Sequence, residues 1–134
     1  FCKKKGISEK ELFSEKESKE NLAYTRYVLE AGYSGGFLDL IVSLLPCVIG
    51  YGEIGKNIAS STSNVYKDWI ETYSCEDYQK ICKDVGHLFD SSIKKRFGNN
   101  YKKLPYWDVL KSRFKTATEL ETDFWNMGIM FRKS

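Results

Sequence analysis

A chain of 134 residues is long enough for one hydrophobic core and too short for two. With 42% apolar residues, 29% charged residues and a formal net charge of +3 spread along its length, it lacks the concentrated basic surface of a nucleic-acid binder, and the short runs Lys3 to Lys5 and Lys102 to Lys103 read as solvated faces. Four cysteines (Cys2, Cys47, Cys75, Cys82) without CxxC spacing, beside the single histidine His87, do not make a zinc site, and with no visible signal peptide the expectation is a cytosolic chain with free thiols.

The chain opens at Phe1 with no coherent element ahead of its first helix, which reads as a processed chain or a piece of something longer. Helical periodicity then runs almost throughout, and no segment alternates long enough to argue a half-buried strand. Ser8, followed three residues later by Glu11, forms a capping-box pattern that starts a short helix. The charged stretch Glu15 to Glu20 serves as a connector. A second helix is expected from about Lys19 to Ala31, with Tyr24, Tyr27, Val28 and Ala31 on one face and Gly32 as its stop.

Gly35 and Gly36 introduce the most apolar helix, from about Gly36 to Ala59. Its apolar run, Phe37 to Tyr51, is interrupted by Asp39, Pro46 and Gly50; it falls short of the ~20 residues that span a bilayer and reads as a buried helix, not a membrane segment. Ser63 or Asn64 can cap a short helix through Tyr73. Ser74, with Asp77 at the third helical position, is expected to cap another that reaches about Arg96, burying Tyr78, Ile81, Cys82, Val85, Leu88 and Phe89. Gly98, Asn99 and Asn100 make a turn, and a long final helix follows Pro105 to about Phe131. The sum is a single all-α domain over residues 1–134, a bundle whose short loops predict mostly antiparallel neighbours.

Two helices in this bundle carry residues that are unusual for a structure built only for stability. Pro46 inside the apolar helix removes a backbone hydrogen bond at a cost of about 3 kcal/mol, and Gly50, Gly52 and Gly55 each cost about 1 kcal/mol against alanine. Cys47 follows the proline, and Tyr51 lies one turn further on the same face, its ring flanked by glycines that leave it unobstructed. Either the kinked helix presents a thiol and a phenol to a pocket, or Cys47 is a buried structural cysteine. On the final helix, Trp107, Leu110, Phe114, Ala117, Glu121, Phe124, Gly128 and Phe131 form a core-facing seam with a carboxylate in its middle. Glu121 there is either a proton carrier with a raised pKa or half of a structural contact. His87 falls between stripe positions and reads as exposed; Cys75 and Cys82 read as structural. Spacing alone leaves two classes open: a cysteine enzyme using Cys47 and Glu121, or a helical interaction module whose odd residues serve packing.

Four blocks carry a family resemblance: Tyr24-Thr-Arg-Tyr27, Leu44-Leu-Pro-Cys47-Val-Ile-Gly-Tyr51-Gly-Glu-Ile-Gly55, Trp69-Ile-Glu-Thr-Tyr73 and Glu121-Thr-Asp-Phe124-Trp125-Asn-Met127. In order and spacing they resemble the TenA/thiaminase II family, with a flavour of the fungal members, some of which are fused behind a pyrimidine kinase. The resemblance implies a haem-oxygenase-like helical bundle without haem or other cofactor, assembled as a homo-oligomer, usually a tetramer. It also implies hydrolysis of 4-amino-5-aminomethyl-2-methylpyrimidine, or of thiamine, to the hydroxymethylpyrimidine. Carried over, Cys47 resembles the nucleophile and Glu121 the acid-base group. Tyr51 and Tyr73 look like aromatics stacked on the ring, Tyr24 like the tyrosine beside the nucleophile, and Phe124 like a pocket wall. The family's aspartate that holds the amino group and ring nitrogen has no counterpart, so roughly the first third of the family's length is expected to be missing and the bundle to be N-terminally incomplete. A non-catalytic relative with a structural or regulatory role is the alternative.

Overall fold

The computed structural model describes residues 2–60 and 65–130. These form six α-helices with a 3-10 turn at each of Cys2–Lys5 and Tyr101–Lys103, and among the described residues there is no strand. The helices are α1 (Glu9–Ser14), α2 (Lys19–Ser34), α3 (Phe37–Asn57), α4 (Lys67–Ser74), α5 (Glu76–Phe97) and α6 (Pro105–Met130). The expected all-α bundle is therefore what the chain forms.

Local chemistry sets the helix ends. At α1 the capping box closes in both directions: Glu11 donates its backbone N–H to the Ser8 hydroxyl at 3.2 Å, and its carboxylate accepts the Ser8 N–H at 2.8 Å. Ser18 caps α2 by accepting the Asn21 N–H at 3.2 Å. The α2 stop lies later than expected, because Gly32 is inside the helix and Gly35 is its C-cap. Gly32 is a packing residue: a Cβ there would lie 3.3 Å from Leu40 Cδ1, where α2 and α3 meet. Ser74 does not cap α5 either. It ends α4, and Cys75 alone, in extended conformation, joins the two helices and is the N-cap of α5. Gly98 takes φ +73° at the turn after α5, a left-handed conformation that glycine adopts without strain. The alternative caps Ser63 and Asn64 and the seam end Phe131 lie outside the described residues.

Helix α3 is the centre, and α2, α4, α5 and α6 all pack against it. At 21 residues, with mean hydropathy 1.7 over its most apolar window, it is long and apolar enough to cross a membrane by length and composition, unlike the shorter apolar run read from sequence, but a core helix passes the same test and the buried-helix reading stands. Leu38, Ile41, Val42 and Leu45 from α3 join Phe89 and Ile93 from α5, Tyr101, and Leu110 from α6 in the core. Two residues expected inside α5, Ile81 and Leu88, are exposed, as is Phe114 on α6. The inward stripe of α5 is instead Tyr78, Cys82, Val85, Phe89 and Ile93, spaced by three and four residues.

Packing directions depart from the expected antiparallel pattern between α3 and α6. Contacts between Gly32 and Leu40 and between Tyr24 and Cys47 make α2 and α3 antiparallel. Those of Val48 with Tyr78 and Cys82, and of Gly52 with Gln79, do the same for α3 and α5. Helices α3 and α6 run parallel, with Asp39 against Arg113 at one end and Tyr51 against Glu121 at the other. Short loops impose antiparallel order on consecutive helices only, and α4 and α5 intervene between these two.

Candidate functional site

Helices α2, α3 and α6 bring four of the six expected site residues together. Tyr51 donates its hydroxyl to Glu121 Oε1. Cys47, one turn earlier on α3, is half-buried and donates its thiol to the Leu44 carbonyl at 3.1 Å. From α2, the Tyr24 hydroxyl lies beside both Cys47 and Glu121 without making a hydrogen bond of normal geometry to either. The α3 helix stays continuous through the buried Pro46, whose missing N–H cannot serve the Val42 carbonyl.

Glu121 is 8% exposed, so the seam position does bury its carboxylate. Oε1 is satisfied by Tyr51, whereas Oε2 is buried without a partner, as is the hydroxyl of Tyr24. Two unsatisfied buried polar atoms beside one thiol are costly in a packed core and are the open hydrogen-bonding capacity of this site. Burial pushes the Tyr24 phenol far above the ordinary tyrosine range, reinforced by Cys47 and Glu121. Tyr51 is also pushed up, chiefly by burial and then by its bond to Glu121, with the Trp125 indole opposing. Both phenols therefore stay protonated at neutral pH and act as hydrogen-bond donors.

The ring of Tyr51 is enclosed, not unobstructed. It meets Tyr73 edge-on at 5.2 Å, Trp125 at 5.6 Å and Trp69 at 6.1 Å between ring centroids. Trp69 and Trp125 also meet each other at 5.9 Å, and Tyr73 continues the cluster to Tyr78 at 4.8 Å. Gly52, beside Tyr51, and Gly55, one turn further, serve a different purpose from the expected one. A Cβ on Gly52 would lie 2.5 Å from Cys82 Sγ, and one on Gly55 2.7 Å from Tyr73 Cβ, so these two let α5 and α4 close on α3. Gly50 meets nothing within 4 Å.

Beside the cluster is an apolar cavity of about 430 Å³ lined by Leu45, Pro46, Ile49, Tyr51, Glu121 and Trp125 among others. Its size suits a small flat molecule. A larger groove of about 920 Å³ lies between the start of α2 and the end of α6, lined by Ser18, Ala23, Leu120, Asp123 and Met127. None of the six expected residues lines it; Tyr51 and Glu121 line the smaller cavity, and Cys47 and Tyr24 line neither. Tyr73 belongs to the aromatic cluster, one ring removed from Glu121. Phe124 is half-buried on α6 and lines neither cavity. Of the other thiols, Cys75 is exposed and Cys82 is half-buried, its pKa pushed up by burial. His87 is exposed, as its register implied. Among the described residues no group of acidic, histidine or cysteine side chains is arranged to hold a metal ion.

Sequence reasoning missed the buried Asp39, 1% exposed, which read only as an interruption of an apolar run. It accepts hydrogen bonds from the Tyr106 hydroxyl and from Arg113 Nε, the latter at 2.7 Å. Tyr106 and Arg113 are seven residues apart on α6, a same-face spacing that could have flagged them.

Residues 1–130 match the sequence pattern of the TENA/THI-4/PQQC family. An aminopyrimidine aminohydrolase of Halalkalibacterium halodurans is 30% identical over 132 residues, covering 96% of this chain and 56% of that protein. A hydroxymethylpyrimidine/phosphomethylpyrimidine kinase of Saccharomyces cerevisiae, THI20, is 28% identical over 81% of this chain and 19% of its own length. The crystal structure of a TenA family transcription regulator from Silicibacter sp. TM1040 superposes with a TM-score of 0.92 at 54% identity, over 95% of this chain and 57% of that one. The chain thus spans a little over half the length of the bacterial proteins it matches.

Proposed function

The chain belongs to the TENA/THI-4/PQQC family, and from that membership we propose that it carries the reacting groups of a hydrolase converting 4-amino-5-aminomethyl-2-methylpyrimidine, and thiamine, to 4-amino-5-hydroxymethyl-2-methylpyrimidine. The observation that carries this reading is the convergence of Tyr24, Cys47, Tyr51 and Glu121, two of which, Tyr51 and Glu121, line an aromatic-walled cavity. The relatives named aminopyrimidine aminohydrolase support the substrate class.

In this mechanism Cys47 is the nucleophile and Glu121 the acid-base group. A thiol attacks as thiolate, so it needs a base or a ring already made electrophilic. Glu121 delivers a proton to a ring nitrogen, and the Cys47 sulfur bonds to a ring carbon as its own proton passes to the Glu121 carboxylate so released and from there to the departing amine. The electron pair of the disrupted ring then expels the 5-substituent as the amine, leaving an exocyclic methylene. Water adds to that carbon, the C–S bond breaks, and ring and thiolate are regenerated. The net change is amine plus water to alcohol plus ammonia, which needs no cofactor. The Tyr24 hydroxyl, held protonated by burial, donates toward the thiolate as it forms, and Glu121 Oε2 is the oxygen free to meet the substrate. Tyr51 orients Glu121 through its hydrogen bond. Tyr51 supplies aromatic surface worth about 1 kcal/mol per good ring contact beyond burial and Tyr73 backs it, while the wall role that the resemblance gives Phe124 has no counterpart at this cavity.

The enzyme is proposed to work in the cytosol, in keeping with four unpaired thiols, and as a homo-oligomer, a tetramer by resemblance. The exposed rings of Tyr33 and Phe37 offer apolar surface for such contacts. Its partner is the small aminopyrimidine, not nucleic acid or membrane. A non-catalytic regulatory role is the second reading, favoured by the name of the Silicibacter relative. Hydrolysis by the folded protein and by C47A and E121Q decides between them. Loss of about 100-fold or more in each variant is expected. An unchanged rate in C47A would remove the nucleophile assignment, and a folded protein without hydrolysis would favour the regulatory reading.

A further inference from the structure

We propose that Asp39, Arg113 and Tyr106 form a positioning clamp that sets the register of α2, α3 and α6 and so holds Glu121 opposite Tyr51 and Cys47; its catalytic consequence rests on the hydrolase reading above. The three helices joined at the clamp are the three that supply the reacting cluster: α2 gives Tyr24, α3 gives Cys47 and Tyr51, and α6 gives Glu121. Helices α3 and α6 are parallel and not joined by a turn, so no loop fixes how far one slides along the other. Their apolar contacts are non-directional and tolerate such sliding.

The clamp is directional. Asp39 sits at the third position of α3, where the N-terminal end of the helix favours a carboxylate, and accepts from Tyr106 and Arg113 of α6. Arg113 spends the rest of its fork on α2, reaching Glu30 Oε2 at 3.1 Å and the Ser34 hydroxyl at 2.9 Å. The α2–α3 junction is built around the same carboxylate, since a Cβ on Gly35 would overlap it. A buried charged pair adds little net stability, and its best use is to select one arrangement among several of similar packing energy. From the clamp to the site is roughly 18 Å along α3 and roughly 12 Å along α6 at 1.5 Å per residue. Because the helices are parallel, slippage at one end moves Glu121 past Tyr51 by the same amount, and an error near 1 Å can cost about 100-fold in rate.

The test is a double-mutant cycle of Y51F and E121Q, read by thermal unfolding in the unaltered protein and again with R113M or D39N. Groups this far apart are additive unless the fold couples them. The Tyr51–Glu121 coupling is expected to appear as a non-additive shift of about 4 °C in melting temperature and to collapse toward zero in both clamp variants. In parallel, kcat for the aminopyrimidine is expected to fall about 10- to 100-fold with KM little changed, and R113K to recover part of the loss. Should R113M fail to fold, D39N, which keeps the side-chain volume, decides alone. Retention of the full Tyr51–Glu121 coupling in a clamp variant that merely melts earlier would overturn the proposal. Collapse of the coupling in a protein that hydrolyses no aminopyrimidine would remove the hydrolase reading and leave the register role standing.

Discussion

Tyr51 gives its hydroxyl to Oε1 of Glu121, joining residues seventy positions apart on two parallel helices, and that bond is the only one the Glu121 carboxylate makes among the described residues. The other oxygen is buried without a partner, as is the hydroxyl of Tyr24, which lies beside both Glu121 and Cys47. A carboxylate held by one oxygen and open at the other is fixed in orientation yet able to exchange a proton. Removing its holder and removing its open neighbour should therefore have different effects.

Y51F leaves Glu121 buried with neither oxygen satisfied, a loss of about 1–3 kcal/mol in stability. On the hydrolase reading proposed above, the rate should fall with it, by about 10- to 100-fold, because Glu121, the proposed acid-base group, is no longer aimed. Y24F deletes a hydroxyl that has no partner in the resting site, so it should leave stability within about 1 kcal/mol or raise it, while still lowering the rate. Urea unfolding together with hydrolysis kinetics separates the two. Equal destabilisation by both variants would show that Tyr24 is bonded as firmly as Tyr51.

Much of this site is written into local sequence. Capping at Ser8 and Glu11 and the seam position of Glu121 are set by residues within a turn or two of each other, and periodicity finds them. The clamp is different: Asp39 and Arg113 are seventy-four positions apart, and their partnership exists only once α6 lies parallel on α3. Gly32 was misread for a related reason, since a glycine that admits Leu40 from another helix looks in sequence like one that ends its own. Exposed Ile81, Leu88 and Phe114 occupy apolar stripe positions because periodicity gives the direction of a face but not how much of it a neighbour covers. The enclosure of Tyr51 by Trp69 and Trp125 is likewise a matter of three separate helices meeting.

Alkaline pH offers a check on burial elsewhere in the bundle. Tyr106 is pushed up to about 12, first by burial and then by its bond to Asp39, and Tyr78 to about 12, mainly by burial. A phenol whose pKa is higher in the folded than in the unfolded chain adds stability that is fully present below the unfolded value near 10 and is lost as pH rises toward 12. Stability should be flat in these groups up to about pH 9 and decline above pH 10. Y106F should reduce the steepness of that decline. A spectrophotometric tyrosine titration in which every phenol ionises near pH 10 would contradict the burial of both rings.

The α3 glycines give the sharpest structural contrast, because three of them lie within six residues and face different surroundings. On Gly55 a Cβ would come 2.7 Å from Tyr73 Cβ and 2.8 Å from the Tyr73 carbonyl carbon, and the backbone contact cannot be relieved by a rotamer change. G55A should therefore displace α4, loosen the contact of Tyr73 with Tyr51, and cost about 1–3 kcal/mol. On Gly52 the clash is with Cys82 Sγ at 2.5 Å, the end of a short side chain that can turn aside in part, so G52A should cost less than G55A. Gly50 meets nothing within 4 Å and has helical backbone, so G50A should stabilise by about 0.5–1 kcal/mol through a less flexible unfolded chain and a better helix former. Chemical denaturation of the three variants gives the order directly. If G50A were as damaging as G55A, the open face beside Tyr51 would have to be occupied in the folded protein, and the cavity there would not be available to a substrate.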